Sequence, residues 1–268
     1  METRVTIVSA LYYIGRDRWK TNGFGPNNDR YKNWLHNLLS LDMDVILFCD
    51  DYYYDYVVKT KREYYPDLSR LHLIRTRLDE QEIYKKYYTQ ISCLMKSPKF
   101  LSELKYRSKA AELWYPLYNV IMYNKPAFIR RAKELNPFQA THLFWADAGA
   151  FRNERSEYQN VVWPNPASSV FSDKLTFFSH VGEDFRIDNQ KEYFMSQYRA
   201  IHGGYFSVPL DQVEFLYEQN FHIIEEILAG GYIGSDEKIF DLISKRHPDK
   251  LRLIKSTWFE FYKICQQP

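Results

Sequence analysis

His142-Leu143-Phe144-Trp145-Ala146-Asp147-Ala148-Gly149-Ala150-Phe151-Arg152 is the stretch on which the fold turns. An apolar and aromatic run stops abruptly at one carboxylate, and small residues leave space beside it. A short apolar run bounded by Pro137 upstream and Gly149 downstream is the pattern of a buried central strand. In an open α/β sheet, ligands bind in the crevice outside the carboxyl ends of the strands, which is where Asp147 would stand. A second reading is open as well, because Asp after a strand often caps a turn or a helix. The flanking chain has to weigh one against the other.

Upstream, Val5-Thr6-Ile7-Val8-Ser9-Ala10-Leu11 is β-branched and apolar, the pattern of a strand buried on both faces. It runs into Tyr12-Tyr13-Ile14-Gly15-Arg16 and then a polar, glycine-bearing stretch over residues 21–28, either a binding loop or a surface loop. From Asp29, the positions Tyr31, Trp34, Leu35, Leu38 and Leu39 recur at helical spacing. Asp44-Val45-Ile46-Leu47-Phe48-Cys49-Asp50-Asp51 reads as a second buried strand ending in two acids. Helical sequence through Val58 and Lys61 leads to a third, Leu71-His72-Leu73-Ile74-Arg75. Strand, helix, strand, helix, strand is the signature of a parallel sheet with right-handed crossovers, so residues 1–152 read as a nucleotide-binding half. No G-x-G-x-x-G or G-x-x-x-x-G-K-[ST] follows the first strand, which argues against a dinucleotide fold and a P-loop. Residues 78–95 and 109–135 are helical, the latter stretch broken by Pro116 and Pro126. Tyr52-Tyr53-Tyr54 and Tyr87-Tyr88 lack the interleaved basic residues of a base-stacking platform and read as cover for helices and core.

Downstream, residues 153–172 carry Pro164 and Pro166 and read as an excursion over the surface near the site. Leu175-Thr176-Phe177-Phe178-Ser179 and Gly204-Tyr205-Phe206-Ser207-Val208 are strand-like. His202-Gly203-Gly204 introduces the second, either as a plain turn or as a place where backbone approaches a ligand closely. Residues 211–228 form an amphipathic helix with Asp211 as N-cap and Gly230-Gly231 as terminator. A further helix opens at Ser235-Asp236-Glu237, where Ser235 suits a cap and the two acids suit the positive end of the helix dipole. The same entry sets carboxylates where they can face the cleft. Leu251-Arg252-Leu253-Ile254 reads as an edge strand. Without repeat or linker, residues 1–268 form one domain, with 153–268 as its acceptor-side half.

Composition narrows the class further. The 268 residues hold 36 Lys+Arg against 34 Asp+Glu, a formal charge of +2, so no global field points to nucleic acid or to an anionic membrane. Aromatic content is 18%, with Tyr 23 and Phe 18, suited equally to cores and to pockets for bases and sugars. Cys49, Cys93 and Cys265 form no CxxC pair, which fits neither a zinc site nor a disulfide framework and suits a reducing compartment. The N-terminus lacks the shape of a signal peptide, and no run approaches the about 20 apolar residues of a membrane helix. A soluble cytoplasmic protein is expected, with peripheral contact as the form of membrane association left open.

Taken together, several short motifs carry a family likeness through their order. They are Thr6-Ile7-Val8-Ser9-Ala10 with Gly15-Arg16 and Trp19, Arg30-Tyr31 with Trp34, Asp50, Tyr118-Asn119 with Lys125, and Phe144-Trp145-Ala146-Asp147-Ala148-Gly149. In that order and spacing they resemble the HtrL/YibB-like family, which is similar in turn to nucleotide-sugar glycosyltransferases of the GT-A fold. The likeness is close over the nucleotide-binding half and looser beyond it, through Gly203-Gly204 and Asp236-Glu237. It implies an α/β, GT-A-like domain with a mostly parallel central sheet flanked by helices. It also implies a glycosyltransferase that moves a sugar from a nucleotide-sugar donor, a UDP-sugar first, to a glycan or other hydroxyl acceptor.

By the same resemblance, Ala10, Tyr12, Arg16, Asp50, Lys125, Asp147, Ala148 and Gly149 would bind the donor. His202, Gly203 and Gly204 would lie on the acceptor side, and Asp236 or Glu237 would be the general base. GT-A enzymes place Mn²⁺ or Mg²⁺ on the diphosphate through an Asp-x-Asp motif after a central strand, and here Asp147 is the expected metal ligand. The pattern departs at Gly149, which stands where the second carboxylate belongs. Either Asp147 works with a distant Asp50, Asp236 or His180, or it binds ribose while Lys125, Arg16 and Arg152 neutralise the phosphates. Two other classes compete. A nucleotidyltransferase would show a glycine- and lysine-rich phosphate loop after strand one, and residues 12–18 are poor in glycine. A non-catalytic nucleotide- or sugar-binding module on the same scaffold is kept open by the missing carboxylate.

Overall fold

Val5–Leu11 forms β1, buried along its whole length as its β-branched, apolar sequence requires. It pairs in parallel with β2 (Val45–Cys49) on one side and with β4 (His142–Ala146) on the other. Outside β2 lies the parallel β3 (Leu71–Arg75). On the far side of β4, β6 (Ile201–Pro209) runs antiparallel, followed by β5 (Leu175–Ser179) and the edge strand β7 (Leu251–Lys255). The order β3-β2-β1-β4-β6-β5-β7 makes a seven-stranded sheet, and β6 runs against its neighbours within it. This computed structural model describes residues 2–19, 28–104, 110–153, 163–180, 186–258 and 260–267. The polar stretch at 21–27, the helix start at 109 and the middle of the surface excursion, 154–162, lie outside the described residues.

Helices cover both faces of this sheet. They are α1 (Asn28–Leu39), α2 (Asp51–Arg62), α3 (Glu82–Lys96), α4 (Pro98–Glu103) and α5 (Pro116–Tyr123), then α6 (Lys125–Leu135), α7 (Gln190–Phe194), α8 (Val213–Ala229), α9 (Asp236–Arg246) and α10 (Phe261–Ile264). Successive strand residues point to opposite faces and so feed two cores. Val8, Trp145 and Phe206 pack with Ile91 of α3, Phe128 of α6, Ile223 of α8 and Phe240 of α9. Ile7, Leu47 and Phe144 pack instead with Leu38 of α1, Val57 of α2 and Phe261 of α10. Each fully buried aliphatic or aromatic side chain stabilises the fold by roughly 1.5–3 kcal/mol. The result is one α/β domain with a mostly parallel sheet between helical layers, as expected. Among the described residues, no helix is long and apolar enough to cross a membrane.

Several local expectations change. The stretch at 109–135 resolves into a 3₁₀ turn at Ala111–Leu113 and two helices, each with proline in its first positions, where a missing N–H costs nothing. This division makes Lys125 the first residue of α6. Asp211 is not a helix cap: Pro209 ends β6 and turns the chain into a 3₁₀ segment, Leu210–Gln212, so α8 starts at Val213. Ser235 does occupy the N-cap of α9, but its hydroxyl donates to Glu237 Oε2 at 3.2 Å and accepts no backbone bond. His202-Gly203-Gly204 is no turn. These residues lie inside β6, which begins at Ile201.

Candidate active site

From the β1–β4 pair the sheet grows in two directions, through β2 to β3 and through β6 to β5 and β7. A crevice therefore opens at the carboxyl ends of β1 and β4, the switch point at which α/β sheets bind ligands. A cavity of about 510 Å³ lies there, lined by Ala10 and Leu11 from β1 and by Asp147 to Ala150 after β4. Helix α1 contributes Arg30, Tyr31 and Trp34, and the starts of α6 and α9 contribute Lys125, Asp236 and Glu237.

Lys125 holds the floor together. Its Nζ lies 2.9 Å from Asp147 Oδ1 and 2.6 Å from Asp236 Oδ2, and it donates to Gly203 O at 2.8 Å. Burial disfavours its charge, but Asp147 and Asp236 outweigh that and hold the ammonium above its ordinary pKa. Asp147 also accepts from Trp145 Nε1 at 2.7 Å, and its backbone N–H donates to Gly204 O at 2.8 Å. The Asp147 side chain is 38% exposed, whereas that of Asp236 is 3% exposed. Burial, with Asp147 close by, raises the Asp236 carboxyl against the pull of Lys125.

A second charged group adjoins the first. Arg199 donates to Glu112, and its Nε lies 2.8 Å from Glu237 Oε2. Burial pushes the Glu237 carboxyl up to about 7; Arg199 pulls it down, and Asp236 and Glu112 push it further up. Beside these carboxylates Arg199 sits above its ordinary range despite burial.

The wall opposite is cationic and aromatic. Arg16 is 5% exposed; its Nη1 donates to Tyr12 O at 3.0 Å, and its guanidinium lies 4.3 Å from the centre of the Tyr31 ring. Its Nε is buried without a hydrogen-bond partner among the described residues. Arg152 stacks its guanidinium 4.6 Å from the Trp34 ring and donates Nε to Gly149 O at 2.7 Å. Between these rings lies Gly149. A Cβ there would meet Tyr31 Cε1 at 3.1 Å and Trp34 Cε3 at 3.2 Å. Trp19 stacks on Tyr115 at 4.0 Å, and Trp258 flanks Gly204.

These residues do not fit the divalent cation that the Asp-x-Asp pattern implies. Mn²⁺ and Mg²⁺ take several oxygen ligands, yet a glycine crowded by two rings stands in the place of the second carboxylate, and an ammonium already bridges Asp147 and Asp236. Among the described residues, no group of three or more His, Cys, Asp or Glu is placed to hold a metal ion.

The cavity brings together Ala10, Arg16, Lys125, Asp147, Ala148, Gly149, Gly203, Gly204, Asp236 and Glu237. Of the expected donor- and acceptor-side residues three do not line it, and neither does His180. Tyr12 is fully buried, its ring stacked on Phe128, so only its carbonyl serves the site, through Arg16. Asp50 follows β2 at the N-cap position of α2, one strand away from the switch point, and turns its Oδ2 to the Tyr13 N–H at 2.7 Å. His202 is fully buried against Ser256 O at 3.2 Å and the ring of His180. Glu112 and Arg199 escape sequence reading, because only the fold joins residues so far apart. The one available signal is an acid within the apolar run Ala110-Ala111-Glu112-Leu113.

Among curated proteins no match to the sequence exists. Solved structures similar to this one include apo mouse xyloside xylosyltransferase 1, at 11% identity and TM-score 0.45 over 98% of this chain and 90% of that chain. Another is the galactosyltransferase LgtC in complex with donor and acceptor sugar analogs, at 8% identity and TM-score 0.45 over 92% and 72% of the two chains. A third is 4-diphosphocytidyl-2C-methyl-D-erythritol synthase from Anaerococcus prevotii, at 8% identity and TM-score 0.43 over 96% and 89%. The family model described as "Bacterial protein of unknown function (HtrL_YibB)" matches residues 3–267, nearly the whole sequence, and the chain belongs to the HtrL_YibB family.

Proposed function

We propose that the protein is a glycosyltransferase that takes a nucleotide-sugar, a UDP-sugar first, and transfers its sugar to a glycan or other hydroxyl acceptor. The observation that carries this reading is the switch-point cavity, where the buried Arg16 faces the same space as Asp147, Asp236 and Glu237. A diphosphate calls for fixed cations, sugar hydroxyls call for carboxylate acceptors, and an acceptor hydroxyl calls for a base. Asp147, the most open of the floor carboxylates, suits the sugar hydroxyls. The flat face of Trp19, backed by Tyr115, suits a base.

In an inverting transfer the acceptor oxygen bonds to the anomeric carbon as the bond to the β-phosphate oxygen breaks. The electron pair of that broken bond leaves with the nucleoside diphosphate, and the acceptor proton passes to a carboxylate. Glu237 suits this last role because its carboxyl is pushed up to about 7, close to the pH at which it must accept the proton. In a retaining transfer Asp236 and Glu237 position the acceptor instead.

A thermal-shift and calorimetric panel of UDP-, GDP-, CMP- and dTDP-sugars tests the reading, and absence of binding by every one overturns it. With the donor found, Glu237→Gln is expected to cut inverting turnover by about 10²–10⁴-fold and to remove the limb of the kcat/KM profile near pH 7. Binding without transfer to any hydroxyl acceptor or water would favour the alternative, a non-catalytic nucleotide- or sugar-binding module.

A further inference from the structure

We infer that this site stabilises its diphosphate leaving group without a divalent metal, using Arg16 and Arg152 as fixed cations mounted on Tyr31 and Trp34. The inference rests on the nucleotide-sugar reading above and names how that chemistry is done. Three observations carry it. First, Gly149 is packed so closely by Tyr31 and Trp34 that even a Cβ would crowd their rings at 3.1 and 3.2 Å. The position holds no carboxylate, and the two rings leave little room beside it.

Second, the charge that a metal would bring to Asp147 is already present. The three ammonium protons of Lys125 are taken by Asp147, Asp236 and the Gly203 carbonyl. Lys125 thus neutralises carboxylates and has no donor left for a phosphate. A cation at Asp147 would share its carboxylate with a buried ammonium and be repelled by it.

Third, the rings that close the metal's place carry positive charge themselves. Arg16 is buried, lines the cavity and has no carboxylate within ion-pair distance among the described residues. A guanidinium stays charged in a protein, and its buried Nε has no acceptor among the described residues, so an anion in the cavity would meet a charge already in place. Arg152 projects from the other ring, held by the Gly149 carbonyl. Planar guanidinium groups match phosphate oxygens in geometry as well as charge. As the glycosyl–oxygen bond breaks and its electron pair moves to the β-phosphate oxygen, these groups face the growing charge without reorganising.

The test is calorimetric titration of the full chain with UDP and, separately, with inorganic pyrophosphate, each in EDTA and in excess Mn²⁺. Both are expected to bind in EDTA, with Mn²⁺ tightening neither by more than about threefold. Arg16→Gln and Arg152→Gln should each weaken pyrophosphate binding at least tenfold, about 1.4 kcal/mol. Arg16 is buried and its variant could lose the fold, so the exposed Arg152 provides an independent readout. Trp34→Leu, which removes a mount and no charge, should weaken binding, and Trp34→Phe should restore it. UDP binding that appears only with Mn²⁺ overturns the inference and leaves the transfer reading intact. Metal-free binding that is indifferent to the Arg152 variant overturns the arginine assignment. No binding of UDP or pyrophosphate in either condition overturns both.

Discussion

An ammonium has three protons, and Lys125 directs each to a different element: Asp147 after β4, Asp236 at the start of α9 and Gly203 O in β6. Removing the charge while keeping the bulk, Lys125→Met, leaves the buried Asp236 carboxylate without its partner. Breaking a buried pair from one side costs roughly 3–5 kcal/mol, so urea denaturation at pH 7 should show a loss of that order. Adding Asp236→Asn to Lys125→Met should recover most of it. A Lys125→Met protein as stable as the wild type would sink the ionic account of the floor. At this scale the sequence is uneven evidence. Asp147 stands out because it ends an apolar run. Glu112 and Arg199 do not, since an ion pair between distant positions leaves no local pattern.

The contact between β6 and α9 is set by one missing methyl group. A Cβ on Gly203 would fall 2.8 Å from both Asp236 Oδ2 and Glu237 Cγ, closer than real atoms pack. Gly203→Ala should push the start of α9 away from the floor, destabilise by about 1–3 kcal/mol and lower turnover together with it. At Gly204 the same addition meets Asp147 Oδ2 and Trp258 Cζ2 at 3.7 Å, ordinary contact. Gly204→Ala should therefore melt close to wild type, and equal losses at both glycines would refute the packing argument. This pair also hides the start of β6, which lies at Ile201 and not at Gly204. Glycines before an apolar alternation look like a turn, yet here the first of them is small so that a helix end can reach the strand. The other strands are legible because each is a short apolar run between polar boundaries; β1, β2 and β5 are buried throughout, and the outermost β3 and β7 are half-buried. The cap at Asp211 was not, because the turn that follows Pro209 depends on where β6 ends in space.

For the molecule as a whole, Glu237 and His202 make stability respond to pH in opposite senses. Glu237 titrates at about 7 in the fold against an ordinary 4.5, so the folded chain holds the extra proton between those values. Raising the pH through that window costs stability, by on the order of 3 kcal/mol at most. Burial lowers His202 to about 4 from an ordinary 6.5, so the unfolded chain holds the extra proton there, and acidification costs a similar amount. Asp236 and Asp241 act in the sense of Glu237, and His142 and His180 in that of His202. Melting curves between pH 4.5 and 6.5 should show these opposed effects separately. Glu237→Gln should shift the melting temperature downward on acidification relative to wild type, and His202→Asn should shift it upward. Identical pH dependence in both variants would contradict the burial of these groups. The Lys125 junction has one more consequence, for the order of events during synthesis. Its partners arrive 22 and 78 residues later and, last, at position 236, so no ribosome-bound fragment ending before α9 can close the site. The floor of the cavity is thus a late structure, joined only after about nine-tenths of the chain has been made.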